Sequence, residues 1–277
     1  MTRSRFAIFT LLAALAGVGL SGTPAVALVS CGATIIADTT LTSSDPVTTT
    51  ICTSNGISIG ADNITLDCGG LTIRGQAVGA GIRLVSGASG ATIQNCVVDG
   101  FAKGLLLGGA GGTFVLNVVV QNNKDNGVEA SSDFNFFQTV VSRKNGGFGL
   151  HLSGIGNGTA GAIALQNTKA GFSISGQEAD IETSLSISNG NGGFTGNMKS
   201  SFFAANIAIG NTGLGFDMAT GTVLLPNEYD ENKALANTGN GLVVGGTNID
   251  ANVDGGGNVG LANGGAIQCE IAAVACQ

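Results

Sequence analysis

The stretch NTKAGFSISG, residues 167–176, begins with an asparagine, has a glycine four positions later and continues with alternating apolar and polar residues. The same arrangement occurs one interval earlier as NGGFGLHLSG at 145–154 and one equal interval later as NGNGGFTGNM at 189–198. A fixed period of this length is typical of a solenoid, in which each repeat forms one coil and buries its apolar face against its neighbours. The period therefore predicts an elongated repeat protein.

The glycine of this pattern recurs at nearly constant intervals along most of the chain, at Gly81, Gly104, Gly127, Gly149, Gly171, Gly193, Gly215 and Gly241. Each of these glycines is followed by an apolar residue, a mostly polar one and, in nearly every repeat, another apolar one. Side chains alternate between the two faces of a β-strand, so this triplet predicts a strand whose two outer residues face inward. The middle residues then form an outward column of Arg83, Leu106, Glu129, His151, Ser173, Thr195, Asp217 and Val243.

A second apolar run precedes each turn and predicts another strand in every coil. From it we expect one inward column of Val119, Val141, Ile163, Leu185 and Ile207, and a second of Leu165, Ile187 and Ile209. Helices are disfavoured because the chain has 47 glycines, and each glycine costs roughly 1 kcal/mol relative to alanine within a helix. The sequence thus predicts an all-β solenoid of about eight coils with a repeat of about 22 residues.

Asparagine keeps the same period as the glycine. Coils stacked about 4.8 Å apart would bring these amides into one column, where each can hydrogen-bond to the next. The members of this predicted structural ladder are Asn123, Asn145, Asn167, Asn189, Asn211 and Asn237. The glycine that follows each asparagine is expected to serve either a positive φ or a close approach of another part of the chain.

Three stretches carry a more specific resemblance: CGATIIADTTLTSS at 31–44, GADNITLDCGGLTIRG at 60–75 and GATIQNCVVDGFAKGLLL at 90–107. Together with the closing Cys269 and Cys276, they resemble exported, single-stranded, right-handed parallel β-helix proteins of the pectate-lyase-like and NosD-like kind. The chain departs from that pattern at Cys68-Gly69-Gly70, where such proteins often read Asn-Gly-His. The resemblance implies the fold, and the fold hosts lyases, hydrolases, epimerases and non-enzymatic surface proteins.

The segment 1–27 has the features of a secretory signal peptide. Arg3 and Arg5 precede an apolar run from Phe6 to Leu20, and the segment closes on Ala25-Val26-Ala27. We therefore expect a secreted or periplasmic protein divided into a leader at 1–27, a cap at 28–60, the β-helix at 61–244 and a last coil with a disulfide cap at 245–277. LVSC at 28–31 resembles a lipobox, so lipid anchoring through Cys31 is the alternative. No later stretch has the length and hydrophobicity of a membrane span.

Charge and cysteine content limit the partners. The net charge is −7, and it becomes −9 without the two arginines of the leader, which argues against nucleic acid as a partner. Six cysteines in an exported chain favour disulfides, and proximity in sequence favours Cys31–Cys52 and Cys269–Cys276. Cys68 and Cys96 remain, either as a third disulfide or as two buried thiols. We expect a monomer.

Two pairs of residues are candidates for catalysis. Glu129 and His151 follow equivalent glycines, so they are expected to be neighbours on the outward column, where a carboxylate beside an imidazole can perform general acid–base chemistry. Arg143 and Lys144 resemble the bases that polysaccharide lyases of related fold use to neutralise a uronate and abstract a proton. The alternative for both pairs is a solvated strand face or coil edge.

A cofactor is not required by any motif, and calcium is the one metal that the sequence suggests. The longer repeat contains PNEYDENK at 226–233, in which Glu228, Asp230 and Glu231 gather carboxylates that could bind calcium, unless the segment is simply a solvated loop.

The chain has no Trp, one Tyr, no Asp-Asp pair, and phenylalanines that we place mostly in inward columns. The sequence therefore favours a binding or structural role toward polysaccharide or the cell surface. The alternative is a lyase or epimerase acting on acidic polysaccharide.

Overall fold

The structure is a computed structural model, and it describes residues 28–220, 226–246, 252–271 and 274–276. The predicted leader at 1–27 lies outside the described residues. Three sheets, A, B and C, run along the molecule, and their strands are parallel apart from the last pair of sheet A. The chain visits the sheets in turn, so each coil contributes one strand to each sheet. This is the right-handed parallel β-helix that the sequence predicts.

Sheet A consists of β1 (Ala33–Ile35), β4 (Ile57–Ile59), β7 (Ala80–Leu84), β10 (Lys103–Leu107), β13 (Val128–Ala130), β16 (Leu150–Ile155), β19 (Phe172–Gln177), β22 (Phe194–Lys199), β25 (Phe216–Thr220), β28 (Leu242–Gly246), β31 (Cys269–Ile271) and β32 (Val274–Ala275). Sheet B consists of β2 (Thr39–Thr40), β5 (Thr65–Asp67), β8 (Thr92–Gln94), β11 (Phe114–Leu116), β14 (Phe136–Gln138), β17 (Gly158–Ala160), β20 (Asp180–Glu182), β23 (Phe202–Ala204), β26 (Glu228–Asp230) and β29 (Val253–Gly256). Sheet C consists of β3 (Ile51–Cys52), β6 (Thr72–Gly75), β9 (Val97–Asp99), β12 (Val119–Gln121), β15 (Val141–Arg143), β18 (Ile163–Leu165), β21 (Leu185–Ile187), β24 (Ile207–Ile209), β27 (Lys233–Leu235) and β30 (Val259–Leu261).

Ten strands in sheet B and ten in sheet C make ten coils, slightly more than the eight predicted from the glycines. The additional coils lie at the two ends, where Gly56 precedes β4 and where β29 and β30 continue the sheets to Leu261. The short helix α1 (Pro46–Thr49) lies in the first coil. No helix in the described part of the chain has the length and hydrophobicity needed to cross a membrane.

Sheet A has the orientation that the sequence predicts. The outer residues of each triplet face the core, and the first of them form a stack in which the Phe172 and Phe194 ring centroids are 4.5 Å apart and those of Phe194 and Phe216 are 4.7 Å apart. All three rings are fully buried. The middle residues form the predicted outward column, because consecutive strands pair in register, as Leu106 does with Glu129 and Glu129 with His151.

Sheet C has the opposite orientation, so the prediction for its columns is wrong. Its middle residues face the core, and most of them are small: Val98, Val120, Ser142, Ala164, Ser186, Ala208 and Ala234. The predicted inward columns point outward instead, and their members are half-buried or exposed: Val119, Val141, Ile163, Leu185, Ile207, Leu165, Ile187 and Ile209. The aliphatic residues of sheet C therefore do not belong to the core.

The recurring glycines explain why the inward residues of sheet C are small. A Cβ added to Gly149 would lie 2.8 Å from the Ala164 Cβ, and one added to Gly171 would overlap the Ser186 hydroxyl. Neither glycine has a positive φ. Of the two reasons offered for these glycines, the structure supports close approach, because sheet C packs directly against the start of a neighbouring sheet A strand.

The asparagine column forms a continuous hydrogen-bonded ladder at the corner between sheets C and A. Each Oδ1 accepts the backbone N–H and the Nδ2 of the asparagine one coil earlier, as Asn189 Oδ1 does from Asn167 at 2.9 and 3.0 Å. The ladder runs from Asn123 beyond Asn237 to Asn263, where the Gln268 Oε1 closes it. Burial of these amides is tolerated because they are hydrogen-bonded.

Shorter ladders occupy the other two corners. Asn206, Asn232 and Asn258 are linked in the same way between sheets B and C. Asn135 and Asn157 are linked between sheets A and B. All three corners of the coil are thus held by buried side-chain amides.

Three disulfides join Cys31 to Cys52, Cys68 to Cys96 and Cys269 to Cys276. Of the two possibilities for Cys68 and Cys96, the structure shows the disulfide, which links consecutive coils at the corner between sheets B and C. Cys31 cannot both form its disulfide and carry a lipid on the same sulfur. In the first coil, Asp45 accepts hydrogen bonds from the backbone N–H groups of Val29 at 2.7 Å and Thr42 at 2.6 Å, which closes that end around buried Val47.

Candidate functional site

The four residues predicted for catalysis lie on two different sheets. Glu129 and His151 are direct neighbours on the outer face of sheet A, as their spacing predicts. Arg143 lies on the outer face of sheet C, where its Nε and Nη2 donate to the Gln121 Oε1 at 2.9 and 2.7 Å. Lys144 lies at the corner between sheets C and A, with a φ of 55° and an exposed side chain. The four side chains therefore do not converge on one cleft.

Glu129 is held by two neighbours. Lys103 Nζ donates to its Oε1 at 2.7 Å, and Asn126 Nδ2 donates to its Oε2 at 3.0 Å. Partial burial acts to raise the pKa of Glu129, but these hydrogen bonds and the positive charges of Lys103 and His151 outweigh it, so the pKa lies below its ordinary value. Glu129 is thus an ionised carboxylate in an ion pair at neutral pH, which suits it poorly to donate a proton.

His151 has a different set of contacts. Its Nδ1 shares a hydrogen bond with the Ser173 Oγ at 3.1 Å, and its ring stacks on Phe148 with the centroids 5.3 Å apart. The Nζ of Lys169 lies 5.0 Å from the centroid of the Phe148 ring. The result is a small aromatic surface beside a cation, on the same face as Glu129.

A shallow groove of about 260 Å³ lies at the start of this face, and Arg83, Lys103 and Leu106 line it together with Asn55. Arg83 is oriented by its Nε, which donates to the Ser58 Oγ at 3.0 Å. Lys103, Phe148 and Lys169 were not among the residues predicted for the site. They lie in columns beside the predicted one, and long side chains reach diagonally across coils in a way that spacing alone does not specify.

The cations are unevenly distributed. Residues 28–277 contain nine Lys and Arg, because two of the 11 lie in the leader. Five of the nine belong to the outer face of sheet A or the corner leading into it, between β7 and β19. We name this group the basic strip, and it consists of Arg83, Lys103, Lys124, Lys144 and Lys169. Between β7 and β19, Asp125 and Glu129 are the acidic residues on this surface, although the chain as a whole is acidic.

The predicted calcium ligands do not form a cage. Glu228 and Asp230 lie in strand β26 and flank the inward Tyr229, while Glu231 follows at a corner with a φ of 52°. The centre of PNEYDENK is therefore a strand rather than a loop, because Tyr229 continues an inward column through Phe203. In the part of the chain that the structure describes, no group of three or more metal-ligating side chains could hold an ion. These residues do not fit a calcium site.

Sheet B exposes aromatic and acidic residues that sequence reasoning missed. Phe114 on sheet B and Phe134 at the corner between sheets A and B are 50% and 60% exposed, and they are exceptions to the expectation that phenylalanines face mostly inward. Asp180 and Glu182 lie on the outer face of the same sheet, and desolvation, followed by the charge of Glu182, raises the pKa of Asp180 to about 6. Asp180 pairs in register with Phe202 of the adjacent strand, so the two residues are neighbours on the outer face of sheet B.

Comparison with known proteins gives matches among solved structures only. No protein-family model matches the chain, and no curated protein sequence matches it. The crystal structure of pectate lyase Pel9A is similar with a TM-score of 0.41 and 15% identity, covering 83% of this chain and 69% of that one. The crystal structure of the Agl-KA catalytic domain is similar with a TM-score of 0.41 and 12% identity, covering 85% of this chain and 50% of that domain. The chain thus spans half the length of the Agl-KA domain, and the fold assignment given above depends on the sheet topology itself.

Proposed function

We propose that this protein is an exported binding protein for acidic polysaccharide, with the basic strip as its binding surface. The observation that carries the proposal is the concentration of five cations on one face of an otherwise acidic chain. A positive strip on a negative molecule attracts an anionic polymer locally while the net charge disfavours non-specific association. The three disulfides support an oxidising compartment for the mature protein.

The geometry of the strip favours a linear polymer. Coils repeat at about 4.8 Å, so consecutive coils present side chains at regular intervals along the axis. A polysaccharide with a carboxylate on each ring, laid along that axis, would meet a cation on most of these coils. Arg83 can bind a carboxylate through two hydrogen bonds, and the stacked Phe148 and His151 offer a ring surface for the apolar face of a sugar.

Glu129 weakens the attraction of the basic strip for an anionic ligand. Its ion pair with Lys103 occupies that ammonium group, so a ligand carboxylate must compete with Glu129 for it. The proposal therefore predicts that Glu129→Gln, which removes the charge and keeps the size, increases affinity for an acidic polymer. A role for Glu129 as an essential catalytic base predicts the opposite, a loss of function.

Binding is tested by isothermal titration calorimetry with polygalacturonate, using dextran as the uncharged control polymer. We expect binding of polygalacturonate that weakens as salt rises. Arg83→Gln combined with Lys169→Gln is expected to lower affinity roughly tenfold. The matched control is Arg74→Gln with Lys233→Gln, which removes one arginine and one lysine from the outer face of sheet C. Equal losses in both double variants, or no binding at low salt, would contradict the proposal.

A lyase acting on acidic polysaccharide is the second candidate, and the adjacency of Glu129 and His151 is what favours it. Incubation with pectate, alginate and glycosaminoglycans, with and without calcium, tests it through the ultraviolet absorbance of unsaturated uronate ends. An activity abolished by His151→Ala and retained in Thr195→Ala, a change in the same outward column of sheet A, would replace the binding proposal with an enzymatic one.

A further inference from the structure

Among the outer faces of the three sheets in the described residues, that of sheet C is the most apolar. In strands β18, β21 and β24 every outward side chain is aliphatic, and we name these six residues the aliphatic stripe: Ile163, Leu165, Leu185, Ile187, Ile207 and Ile209. Outward valines extend it along β9, β12 and β15, and Leu235, Val259 and Leu261 extend it in the other direction. Ile209, Val259 and Leu261 are 36%, 40% and 63% exposed.

The stripe is unlike the equivalent surfaces of the other two sheets. The outward column of sheet A carries Arg83, Glu129, His151 and Asp217, and sheet B carries Asp180 and Glu182. Within the stripe no residue is charged, and the nearest outward charges along sheet C are Arg143 on β15 and Lys233 on β27. A continuous apolar patch bordered by polar residues marks an interaction surface.

The outer face of sheet C as a whole has the size that a homodimer requires, with the aliphatic stripe at its centre and polar residues among the outward positions of the flanking strands: Asp99, Gln121, Arg143 and Lys233. It spans the eight strands from β9 to β30, which at about 4.8 Å per strand gives roughly 35 Å, and two outward columns with their side chains give a width of roughly 15 Å. The face is therefore roughly 500 Å² per copy, and two copies together would bury roughly 1,000 Å², the lower bound for a specific interface. Homodimer interfaces are also the most apolar class of interface.

We propose that a second copy of this chain covers the aliphatic stripe, so that two β-helices pack through their C sheets about a two-fold axis. An aliphatic surface without aromatic rings suits another protein face better than a sugar. Because sheet C is the one sheet with such a face among the described residues, the contact pairs a surface with itself and closes at two copies instead of continuing into a fibre. This inference is independent of the proposed polysaccharide binding, which uses sheet A.

The proposed dimer differs from the monomer expected from the sequence. The sequence analysis also placed the outward residues of sheet C in the core, so it did not identify the apolar face. Burying Leu185 and Ile187 against another copy would remove more of their apolar surface from water, which stabilises the dimer.

Sedimentation velocity over a range of protein concentrations provides the test. We expect a dimer that Leu185→Lys converts to a monomer, whereas Ser173→Lys, which places the same charge on the outward face of sheet A, leaves it intact. A wild-type protein that remains monomeric up to millimolar concentration, or a dimer insensitive to Leu185→Lys, would overturn the proposal.

A second measurement covers the possibility that Leu185→Lys misfolds. The described cysteines are all paired, so a single added thiol can report on the interface. Leu185→Cys, near the middle of the stripe, is expected to form a covalent dimer under mild oxidation, and Ser173→Cys is expected not to. Equal cross-linking of both variants would overturn the proposal, as would a monomeric wild type whose stripe instead binds neutral phosphatidylcholine vesicles.

Discussion

Two segments with nearly the same sequence adopt opposite orientations in this molecule. Phe172-Ser173-Ile174 on sheet A buries its outer residues and turns the serine outward, whereas Leu185-Ser186-Ile187 on sheet C buries the serine and turns the half-buried aliphatic residues outward. The alternation of apolar and polar residues fixes the period of a strand, but it does not fix which set faces the core. The choice is made by what lies at the adjoining corner.

The corner between sheets C and A makes the buried serine favourable. The Ser186 hydroxyl donates to the Gly193 carbonyl at 3.1 Å and accepts from the Asn189 Nδ2 at 2.9 Å, so both of its hydrogen-bonding roles are satisfied. A larger residue would collide with Gly171, where even a Cβ has no room. Sheet C thus buries small residues instead of its aliphatic ones, because only small residues fit closely against the glycine and hydrogen-bond to the asparagine ladder.

The largest difference in stability is expected between two variants, one that removes an inward side chain of sheet A and one that removes an outward side chain of sheet C. Phe194→Ala takes a ring from the middle of a buried stack and is expected to cost about 4 kcal/mol. Leu185→Ala is expected to cost less than about 1 kcal/mol, because its side chain faces outward. Urea unfolding at a concentration low enough to keep the protein monomeric gives both values. Similar losses in the two variants would mean that Leu185 belongs to the core after all.

The asparagine ladder provides the second contrast. Asn189 donates to the Ala164 carbonyl at 3.0 Å and accepts from Asn167, so Asn189→Ala leaves several buried polar groups without partners. We expect a loss of about 3 kcal/mol in the free energy of unfolding. Asn191→Ala, at an exposed position nearby, is the matched control, with an expected change within about 0.5 kcal/mol. A small loss for Asn189→Ala would show that the ladder is incidental to stability.

The sequence predicted the parts of the structure that depend on the period. The glycine and asparagine columns, the sheet A core and the adjacency of Glu129 and His151 all follow from residues at equivalent positions in successive coils. The ladders at the other two corners were missed because they are short or interrupted, as where Asn157 is followed one coil later by Ala179. The orientation of sheet C was missed because the reason for it lies in the contact between Ser186 and Gly171, which are not in the same column.

The site was predictable only in part, for a related reason. The repeat places Glu129 beside His151, but the ion pair with Lys103 depends on the path of a long side chain between columns. The exposed Phe114 and Phe134 were likewise not distinguishable from inward phenylalanines by residue type.

The orientation of sheet C can be tested directly on one strand. Ala164→Leu enlarges an inward residue that already lies close to Gly149 and is expected to destabilise the protein by about 2 kcal/mol. Leu165→Ala, at the next position, removes an outward side chain and is expected to cost less than about 1 kcal/mol. Thermal unfolding of the two variants at low concentration measures the contrast. If Leu165→Ala were the more destabilising of the two variants, Leu165 would face the core, as the sequence predicted.

The smallest expected effects distinguish the charged outer faces of sheets A and B. The pKa of Glu129 is lowered in the folded protein, so its ionised form stabilises the fold at neutral pH, and that contribution is lost as the pH falls below the ordinary range of a glutamate. The pKa of Asp180 is raised to about 6, so the folded state holds a proton that the unfolded chain has released, and stability decreases as the pH rises from about 4 to about 6.

Amide substitutions should therefore change the pH dependence of unfolding in opposite directions. Glu129→Gln is expected to lower stability at pH 7 and to have little effect at pH 3, whereas Asp180→Asn is expected to raise stability at pH 7 and to have little effect at pH 3. Both changes should be below about 1 kcal/mol, because solvent screens charges on an outer face. Urea unfolding at several pH values measures them, with Asp217→Asn on sheet A as the exposed control. If Asp180→Asn instead destabilised the protein at pH 7, the ionised carboxylate would have a stabilising partner, and desolvation with the charge of Glu182 would not be what controls its ionisation.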